Sequence, residues 1–438
     1  MTERVPSASH EERWTRRDTW TFTAFGLGML LENYIFSLTP IADGWVRIPS
    51  WFSPWMSSWG PLWLIVGIAV GGPLADRLGR KKLFYANLAL YALGGLGLIF
   101  LSLNAVWLAV FLAAMLFAAG GEMNAVMVAT HELMPSKHRS KAMMLELNFI
   151  NFGGLILALL AFSSGAWNNS IALQKVSVGV ALLIVLVLLT VFRARTPESL
   201  RWLVAHGDLS QAEAQAVQFY GPEEGPERYR RALLSRTAPP RAADTPLAVR
   251  LYAIIAMAFA GSAGFGLMTY VIGPYYFSGL TTDVILISAV VGFLTGAIGL
   301  WGDRLSRRGL LLASYLATLA LTAAVYLTVA SWSKNVVLFW AFLVAMNVVI
   351  NVAYLTEDTL KGELWPTPRR GLYTALVRFV AIGLYIGTIY FTAHFNVRHT
   401  MLFSLIVWAI GASGAVLWFL KGVETGEGRA LEAASSAP

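Results

Sequence analysis

Three ionisable side chains stand deep inside apolar stretches of this 438-residue chain, and they are the first candidates for chemistry: Glu32, Glu122 and Arg378. A charge at the centre of a bilayer costs at least about 3 kcal/mol, so such a residue needs a partner or a function. Glu32 lies about 20 Å into the first apolar stretch, at the helical rise of about 1.5 Å per residue. A carboxyl group in a dehydrated cavity favours its neutral form, which makes Glu32 a candidate for proton coupling. A structural hydrogen bond and a substrate contact are the alternatives.

The second carboxyl group, Glu122, follows a pair of glycines at 120–121. Paired glycines allow helices to approach closely, which would place this carboxyl group at the wall of a cavity. We therefore predict that Glu122 takes part in proton coupling or in substrate binding. Glu146, Glu357 and Asp358 lie nearer to the predicted helix ends, and we expect them to join a charge network there.

Arg378 is the one basic residue at depth in the sequence. A guanidinium group binds a carboxylate through two parallel hydrogen bonds, so Arg378 could hold an anionic substrate. It could equally neutralise Glu122 or Asp358. If Arg378 contacts the substrate, the substrate is an organic anion.

Neutral polar side chains on the predicted helices supply further substrate-binding candidates. Amides and phenols give directed hydrogen bonds to a small polar ligand, and hydrogen bonding between helices is the alternative for each of them. The candidates are Asn148, Asn151, Tyr270, Asn347 and Asn351. The last two are one helical turn apart and therefore share a face.

The composition shows that membrane helices must position these residues. Hydrophobic residues make up 57% of the chain, charged residues make up 13%, and the mean hydropathy is +0.61. Soluble domains contain about 25% charged residues. Residues 83–121 contain no charge and could cross a bilayer twice, at about 20 residues per crossing. The absence of cysteine excludes disulfides and thiolate metal sites.

We predict an all-α integral membrane fold with twelve transmembrane helices in two pseudo-symmetric six-helix bundles. The expected helices, numbered 1 to 12, cover 19–42, 57–75, 83–103, 105–130, 142–164, 176–192, 251–272, 284–301, 309–331, 335–358, 372–394 and 400–420. With the N-terminus inside, 28 of the 33 Lys and Arg residues fall on cytosolic segments and four fall outside. This positive-inside bias predicts a multi-pass plasma-membrane protein with both termini in the cytosol. It also accounts for the net charge of +8 without a nucleic-acid partner.

Two pairs of charged loops repeat at half the length of the chain. Asp303 follows Asp76 by 227 residues, and Glu363 follows Glu132 by 231. The repeated loops are separated by six helices, and an even number of crossings gives the two bundles the same orientation in the membrane. The binding site is then expected between the bundles, near the midplane of the bilayer. The expected divisions are a cytosolic tail at 1–18, bundles at 19–192 and 251–420, a cytosolic linker at 193–250 and a cytosolic tail at 421–438.

Opposed loops that carry Asp, Glu and Arg can form ion pairs across the cytosolic end and hold one conformation closed. Each partly exposed pair contributes about 0.5–1 kcal/mol. Simple loop anchoring is the alternative. The predicted gating residues are Asp76, Arg77, Arg80, Glu132, Arg139, Glu198, Asp303, Arg304, Arg307, Glu363 and Arg370.

These segments resemble those of a known family. Residues 72–81 and 299–308 resemble the helix 2–3 and helix 8–9 loop signatures of the major facilitator superfamily. The loops that begin at Glu132 and Glu363 resemble those of its sugar-porter and metabolite:proton symporter branches, as does 197–203 after helix 6. Residues 32–36 resemble a helix 1 run of the symporters, with Ile35 where that run has aspartate. The Gly-Gly-Glu run at 120–122 and the helix 11 arginine at 378 are similar to features of symporters and of organic-anion members.

The resemblance implies a monomeric secondary active transporter without a cofactor or enzymatic activity. Its implied function is proton symport of a small organic acid or a related metabolite by alternating access. A proton-coupled sugar transporter is one alternative, although residues 259–265 lack the glutamine pair that helix 7 of sugar porters carries. An exporter of amphipathic or cationic compounds is another. A non-transporting membrane sensor would need a soluble signalling domain, and the sequence shows none.

Overall fold

The computed structural model describes residues 14–162, 169–237, 245–365 and 369–426, and within these ranges the chain forms helices and no strand. Eleven of the described helices are both long enough and apolar enough by composition to cross a bilayer. A twelfth, the first in the chain, has 27 residues and carries Glu32 and Asn33 in its middle. This arrangement confirms the predicted fold class. The helices are α1 Arg16–Ala42, α2 Ser53–Leu78, α3 Arg80–Phe100, α4 Ala105–Leu133, α5 Arg139–Phe162, α6 Ile171–Ala194, α7 Leu247–Tyr276, α8 Ser278–Trp301, α9 Arg307–Leu327, α10 Val336–Glu363, α11 Arg370–Phe391 and α12 Val397–Lys421.

The described chain contains further helices outside these twelve. Two of them lie between α6 and α7: the first linker helix, Leu200–His206, and the second linker helix, Leu209–Thr237. One-turn helices lie in the turns at Asp43–Trp45, Ser136–His138 and Val329–Trp332.

The sequence marks the helix starts with capping residues that repeat between the halves. Asn104 accepts hydrogen bonds from the N–H groups of residues 106 and 107 at the start of α4, both at 3.1 Å. Asn335, 231 residues later, does the same at the start of α10 with residues 337 and 338. Such caps satisfy donors that the first helical turn leaves open. The halves therefore repeat in their local folding signals as well as in their charged loops.

Helix α7 is interrupted near its middle. Its regular part ends at Gly264, Gly266 has a φ of +79°, and residues 267–272 form a π-helical turn. A left-handed φ favours glycine because other residues carry a Cβ that clashes there. Tyr270 therefore lies in the π-helical turn that follows the break.

Each half packs its own core, and the halves meet along two symmetric helix pairs. We call α1–α6 the first bundle and α7–α12 the second bundle. Helix α2 packs against α11, and α5 packs against α8. Helices α2 and α11 approach closely, because a Cβ on Gly371 would lie 2.8 Å from the carbonyl oxygen of Gly72.

Several helices extend beyond their predicted ends. Helix α6 continues to Ala194 and includes Arg193, and α10 continues to Glu363 and includes Lys361. The sequence predicts both basic residues outside the membrane helices, because charges usually mark the end of a membrane helix. Here they are buried and paired with carboxylates.

Two described segments outside the bundles pack against bundle helices. The second linker helix is kinked at Gly221 and docks on the start of α1 through an Arg228–Asp18 ion pair of 3.3 Å. Residues 422–426 follow α12 and lie against the start of α9. Pro366 and the last twelve residues, which belong to the predicted repeat and tail, lie outside the described residues.

Candidate functional site

Two aspartates each bond to a helix of the opposite bundle at one end of the molecule. We call this end, which holds the α2–α3, α4–α5, α8–α9 and α10–α11 loops, the charged end. Asp76 Oδ2 accepts a hydrogen bond from the N–H of Leu372 in the first turn of α11, at 3.1 Å. Asp303 Oδ1 accepts one from the N–H of Lys141 in the first turn of α5, at 2.9 Å. A carboxylate at a helix N-terminus contributes about 0.3–1 kcal/mol. The two bonds close the charged end symmetrically.

Buried arginines extend this closure within and between the bundles. Arg80 lies 2.8 Å from Glu132, and in the second bundle Arg307 lies 3.8 Å from Glu363. Arg370 of α11 also reaches Glu132 of the first bundle, at 3.8 Å. All three guanidinium groups are almost fully buried, so they are part of the packing as well as of the charge network.

Glu198 caps the start of α3. Its two carboxylate oxygens accept hydrogen bonds from the N–H groups of Arg80 and Lys81, both at 3.0 Å. The helix begins after Gly79, whose φ of +93° favours glycine. Burial raises the pKa of Glu198, although the N–H donors around it act in the opposite direction.

Glu424 plays the corresponding part at the start of α9. It accepts hydrogen bonds from the Ser306 hydroxyl at 2.5 Å and from the N–H of Arg307 at 2.8 Å. Burial opposes ionisation, but these bonds and those from the N–H groups of Gly426 and Arg308 outweigh it, and the pKa of Glu424 is lowered. Residues just beyond α12 therefore belong to the charged end.

The remaining predicted gating residues lie in the same region but differ in burial. Arg77 and Arg304 are exposed at the ends of α2 and α8. Arg139 is buried within electrostatic range of Glu363, which also accepts a 3.2 Å hydrogen bond from Ser140 across the bundles. The structure thus brings most of the predicted gating residues into one network and leaves two at its surface.

A second group of charges lies at the seam, by which we mean the contact of α1 and α4 with α10 and α11. Arg378 Nη2 lies 2.7 Å from Asp358 Oδ2, and the guanidinium group also contacts the thioethers of Met123 and Met127 on α4. Glu32 of α1 lies within electrostatic range of Arg378 and Asp358. Its side chain is 8% exposed, and its Oε2 has no hydrogen-bond partner among the described residues. Arg378 is therefore paired with Asp358 and not with Glu122.

Helix α10 contributes further members of this group. Lys361 Nζ lies 2.5 Å from Asp358 Oδ1 and 3.1 Å from Glu357 Oε2. The Tyr354 hydroxyl donates a hydrogen bond to Asp358. We call these residues together the central cluster, which consists of Glu32, Tyr354, Glu357, Asp358, Lys361 and Arg378.

Glu122 lies elsewhere, inside the first bundle. It forms an ion pair with Arg193 of α6, and it accepts a hydrogen bond from Asn87 of α3 at 3.3 Å. It also lies against Gly28 of α1. The glycines at 120–121 do allow close packing, but the next position on α4 turns the carboxyl group into the bundle. Glu122 is fully buried in this conformation, and its role in proton coupling or substrate binding stays a prediction.

Three of the four predicted amide residues connect helices. Asn148 donates to the carbonyl of residue 293 at 3.1 Å, and Asn151 donates to that of residue 292 at 3.3 Å, which joins α5 to α8. Asn347 bonds Ser288 of α8 at 3.3 Å, and Asn351 bonds the carbonyl of Asn347 at 2.8 Å. In this conformation the helix–helix alternative describes Asn148, Asn151 and Asn347, whereas the bond of Asn351 lies within α10.

Tyr270 is the predicted binding residue with the most accessible side chain, at 56% exposed. It follows the break in α7 and lies within electrostatic range of Tyr385 on α11. It is on the second bundle, outside the central cluster.

Three residues that the sequence analysis did not single out have clear roles here. Arg193 and Lys361 are buried ion-pair partners, and Glu424 caps α9. Asp358, one of the two partners that the sequence offered for Arg378, is the one that pairs with it. The repeat itself could have revealed Glu424, because it follows Glu198 by 226 residues, close to the 227 between the aspartates.

The arrangement supports two kinds of chemistry. At the charged end, weak ion pairs and helix caps join the bundles and can be broken together in a rocking motion. At the seam, a buried guanidinium group offers a carboxylate site beside a carboxyl group that can exchange a proton. Neither involves the making or breaking of a covalent bond within a substrate.

Comparisons with known proteins agree with this architecture. A family model described as Major Facilitator Superfamily matches residues 18–388. The solved proton:xylose symporter XylE superposes with a TM-score of 0.74 at 17% identity, covering 95% of this chain and 98% of that one. At that identity the likeness concerns the fold.

The alignments with relatives found by sequence cover a smaller part of this chain. The niacin transporter NiaP of Acinetobacter baylyi is 26% identical over 203 residues, which is 46% of this chain and 43% of that protein. Plastidic glucose transporter 4 of Arabidopsis thaliana is 27% identical over 400 residues, covering 84% of this chain and 69% of that protein. The match to the niacin transporter thus spans less than half of that protein's length. These family and structural relatives are transporters, not enzymes.

Proposed function

The chain belongs to the Major Facilitator Superfamily, and on that premise we propose that it is a secondary active transporter that carries a small organic acid together with protons by alternating access. We infer that the substrate is a monocarboxylate of the niacin type, and that it binds between the two bundles. The observation on which this depends is the buried Arg378 guanidinium group at the seam.

Arg378 supports the substrate assignment through its position and its chemistry. It belongs to α11 of the second bundle but touches Met123 and Met127 of the first bundle, so a ligand bound to it would contact both. A guanidinium group pairs with a carboxylate through two hydrogen bonds. Niacin carries such a carboxylate, and it is the substrate named for the Acinetobacter relative.

The charge balance of the central cluster supports proton coupling at Glu32. The cluster holds three carboxyl groups, Glu32, Glu357 and Asp358, and two cations, Lys361 and Arg378. Fully ionised, it has a net charge of −1, and a monoanionic substrate would make this −2. Burying unbalanced charge is costly, so binding of the substrate favours uptake of a proton. Glu32 accepts it best because its Oε2 has no hydrogen-bond partner among the described residues, whereas Glu357 is held by Lys361 at 3.1 Å.

Alternating access follows from the charged end. We propose that this end faces the cytosol, with both termini there and the protein in the plasma membrane, as the distribution of Lys and Arg predicts. The bonds of Asp76 and Asp303 then hold the cytosolic side closed, and substrate release requires them to break.

A sugar is the second candidate substrate. The Arabidopsis glucose transporter aligns with 84% of the chain, more than the niacin relative does. Against it, three of the candidate amides, Asn148, Asn151 and Asn347, are engaged in hydrogen bonds between helices. Export of a cationic compound by proton antiport is the third candidate, favoured by the excess of carboxyl groups over cations in the central cluster.

Uptake into proteoliposomes under an imposed pH gradient tests these candidates together. With radiolabelled niacin, glucose and a lipophilic cation, we expect gradient-driven accumulation of niacin alone. Accumulation of glucose, or efflux of the cation, would select an alternative instead.

Two variants locate the proposed roles. Glu32→Gln should abolish gradient-driven accumulation yet allow counterflow exchange, because exchange needs no net proton movement. Arg378→Gln should remove the preference for anions. Glu213→Gln on the exposed face of the second linker helix is the matched control for loss of a carboxylate. Accumulation that persists in Glu32→Gln would reject this residue as the coupling group.

A further inference from the structure

We propose that Asp358 is an internal counter-anion that occupies the anion site on Arg378 when no substrate is bound, and that the substrate carboxylate takes its place during transport. This inference rests on the proposed function, which supplies an anionic substrate. Its basis is the 2.7 Å pair between Arg378 Nη2 and Asp358 Oδ2, both almost fully buried at the seam. Asp358 thereby selects which anions can bind.

Arg378 has spare capacity for a second acceptor. A guanidinium group has five donors, and a carboxylate bound side-on uses two of them. In this structure one strong acceptor, Asp358, contacts it, and the other contacts are the thioethers of Met123 and Met127. A thioether is a weak acceptor. The Nε atom has no partner among the described residues. An incoming carboxylate therefore displaces weak contacts and competes with one strong one.

Asp358 can release Arg378 without becoming an unpaired charge. Its Oδ1 lies 2.5 Å from Lys361 Nζ, and the Tyr354 hydroxyl donates a further hydrogen bond to it. Both donors are on α10, the helix that carries Asp358. Removing all partners from a buried charge is strongly unfavourable, but here two of three partners stay in place. The exchange thus breaks the link between α10 and α11 while α10 keeps its own bonds.

The same arrangement sets the charge of the acceptable substrate. The displaced Asp358 stays next to the site together with Glu357 and Glu32, so the surroundings are rich in negative charge. A monoanion can be balanced by one proton on Glu32. A dianion would bring one more charge into a medium of low dielectric constant without a partner. We therefore expect selection for monocarboxylates over dicarboxylates.

Ligand binding to the purified full-length protein tests the proposal with two probes, niacin and pyridine-2,3-dicarboxylate. Asp358→Asn keeps the shape of the side chain and removes its charge. We expect it to bind niacin about tenfold more tightly than the wild type, the size of one charge-assisted hydrogen bond, because the internal competitor is lost. The dicarboxylate should gain by a larger factor than niacin does. A purely structural role for Asp358 would weaken binding of both.

Two further variants complete the design. Asp358→Glu keeps the competing charge and should restore the wild-type preference between the two probes. Glu146→Gln removes an equally buried carboxylate that accepts from Thr130 on α4 and has no contact with Arg378, so it should leave niacin affinity within about twofold of wild type. Melting temperatures verify that each variant is folded.

The outcomes separate this proposal from the proposed function. If the wild type binds niacin and folded Asp358→Asn binds it no more tightly, the counter-anion role is rejected and the transporter assignment stands. An unchanged ratio between the two probes rejects the role in selection. If the wild type binds neither pyridine acid but takes up glucose, the proposed substrate and this inference fail together.

Discussion

The first and second bundles use the same side-chain chemistry at the charged end. Asp76 of the first bundle bonds to the start of α11, and Asp303 of the second bonds to the start of α5. Glu198 and Glu424 cap the starts of α3 and α9 in the same way. The bundles are unlike at depth. Here the first bundle pairs Glu122 internally and gives the seam a single carboxyl group, whereas the second gives it a cluster of four charges.

This difference separates two tasks of a transporter. A rocking motion of two bundles needs closures that break and re-form alike on both sides of a symmetry axis, whatever the substrate is. Recognition of one substrate needs side chains that converge on a single binding site. Residues that repeat in both bundles would form two equivalent sites instead. We infer that repeated residues serve the motion and unrepeated ones serve the substrate and the proton.

Even the repeated caps differ in one detail. Helix α3 begins after Gly79 with a φ of +93°, while α9 begins after Ser306, which has a φ of −67° and caps the N–H of Gly309 at 3.0 Å. The serine hydroxyl also bonds Glu424. The second bundle thus adds a side-chain cap where the first uses backbone freedom, and the two starts should respond differently to perturbation.

The largest expected effect concerns the internal pair of the first bundle. Glu122→Gln leaves the buried Arg193 without its counter-charge, which should lower the free energy of unfolding by about 3–5 kcal/mol. The double variant Glu122→Leu with Arg193→Met should recover most of this loss, because apolar side chains of similar size fill the same space. Thermal unfolding in detergent measures both.

This prediction also bears on coupling. If Glu122→Gln leaves the stability unchanged but alters the number of protons moved per substrate, Glu122 is a coupling residue as the sequence suggested. The contrast between an internal structural pair and a functional seam would then be wrong.

A smaller effect is expected at the symmetric closures. Asp76→Asn and Asp303→Asn each remove a charge from a helix N-terminus, worth about 1 kcal/mol or roughly fivefold in the open–closed equilibrium. The chain contains no cysteine, so Ala375→Cys, buried against α2 at the charged end, provides a unique reporter. We expect each aspartate variant to raise its maleimide labelling rate about fivefold, and the double variant about 25-fold if the sites are independent.

A symmetric closure requires that Asp76→Asn and Asp303→Asn raise the labelling rate by the same factor. Glu213→Gln, which removes an exposed charge far from the bundle contact, should leave the labelling rate unchanged. A large effect from one aspartate and none from the other would show that the closure is not symmetric.

The sequence predicted the parts of this molecule that repeat or that have a strong average pattern. Long apolar stretches gave the twelve helices, and the offset of Asp76 and Asp303 gave the charged end. The sequence did not predict which neighbouring helix a given side chain faces. Glu122 and Met123 are neighbours in sequence, yet one points into the first bundle and the other meets Arg378 across the seam.

The sequence also missed charges that lie beyond the hydrophobic stretches but remain buried. Arg193 and Lys361 follow the last apolar residues of their helices, where a charge usually marks the exit from the membrane. Their burial depends on partners from elsewhere, Glu122 for one and Asp358 with Glu357 for the other. Ion pairing between distant positions leaves no periodic signal in a single sequence.

The smallest expected effect distinguishes the two glutamate caps by pH. The pKa of Glu424 is lowered from 4.5, so its contribution to stability is present above that value and is lost as the pH falls through its lower folded-state pKa. Burial raises the pKa of Glu198 above 4.5, so its ionised form costs stability at neutral pH, and this cost is relieved on acidification. The two caps should therefore respond to acid with opposite signs.

Melting temperatures from about pH 7 to about pH 3 measure this difference between the two caps, with shifts of a few degrees at most. The melting temperature of Glu424→Gln should be lower than that of the wild type near neutral pH, and this difference should shrink towards low pH. Over the same range, the melting temperature of the wild type should rise relative to that of Glu198→Gln. Parallel pH profiles for the two variants would mean that the caps are equivalent and that their different surroundings do not matter.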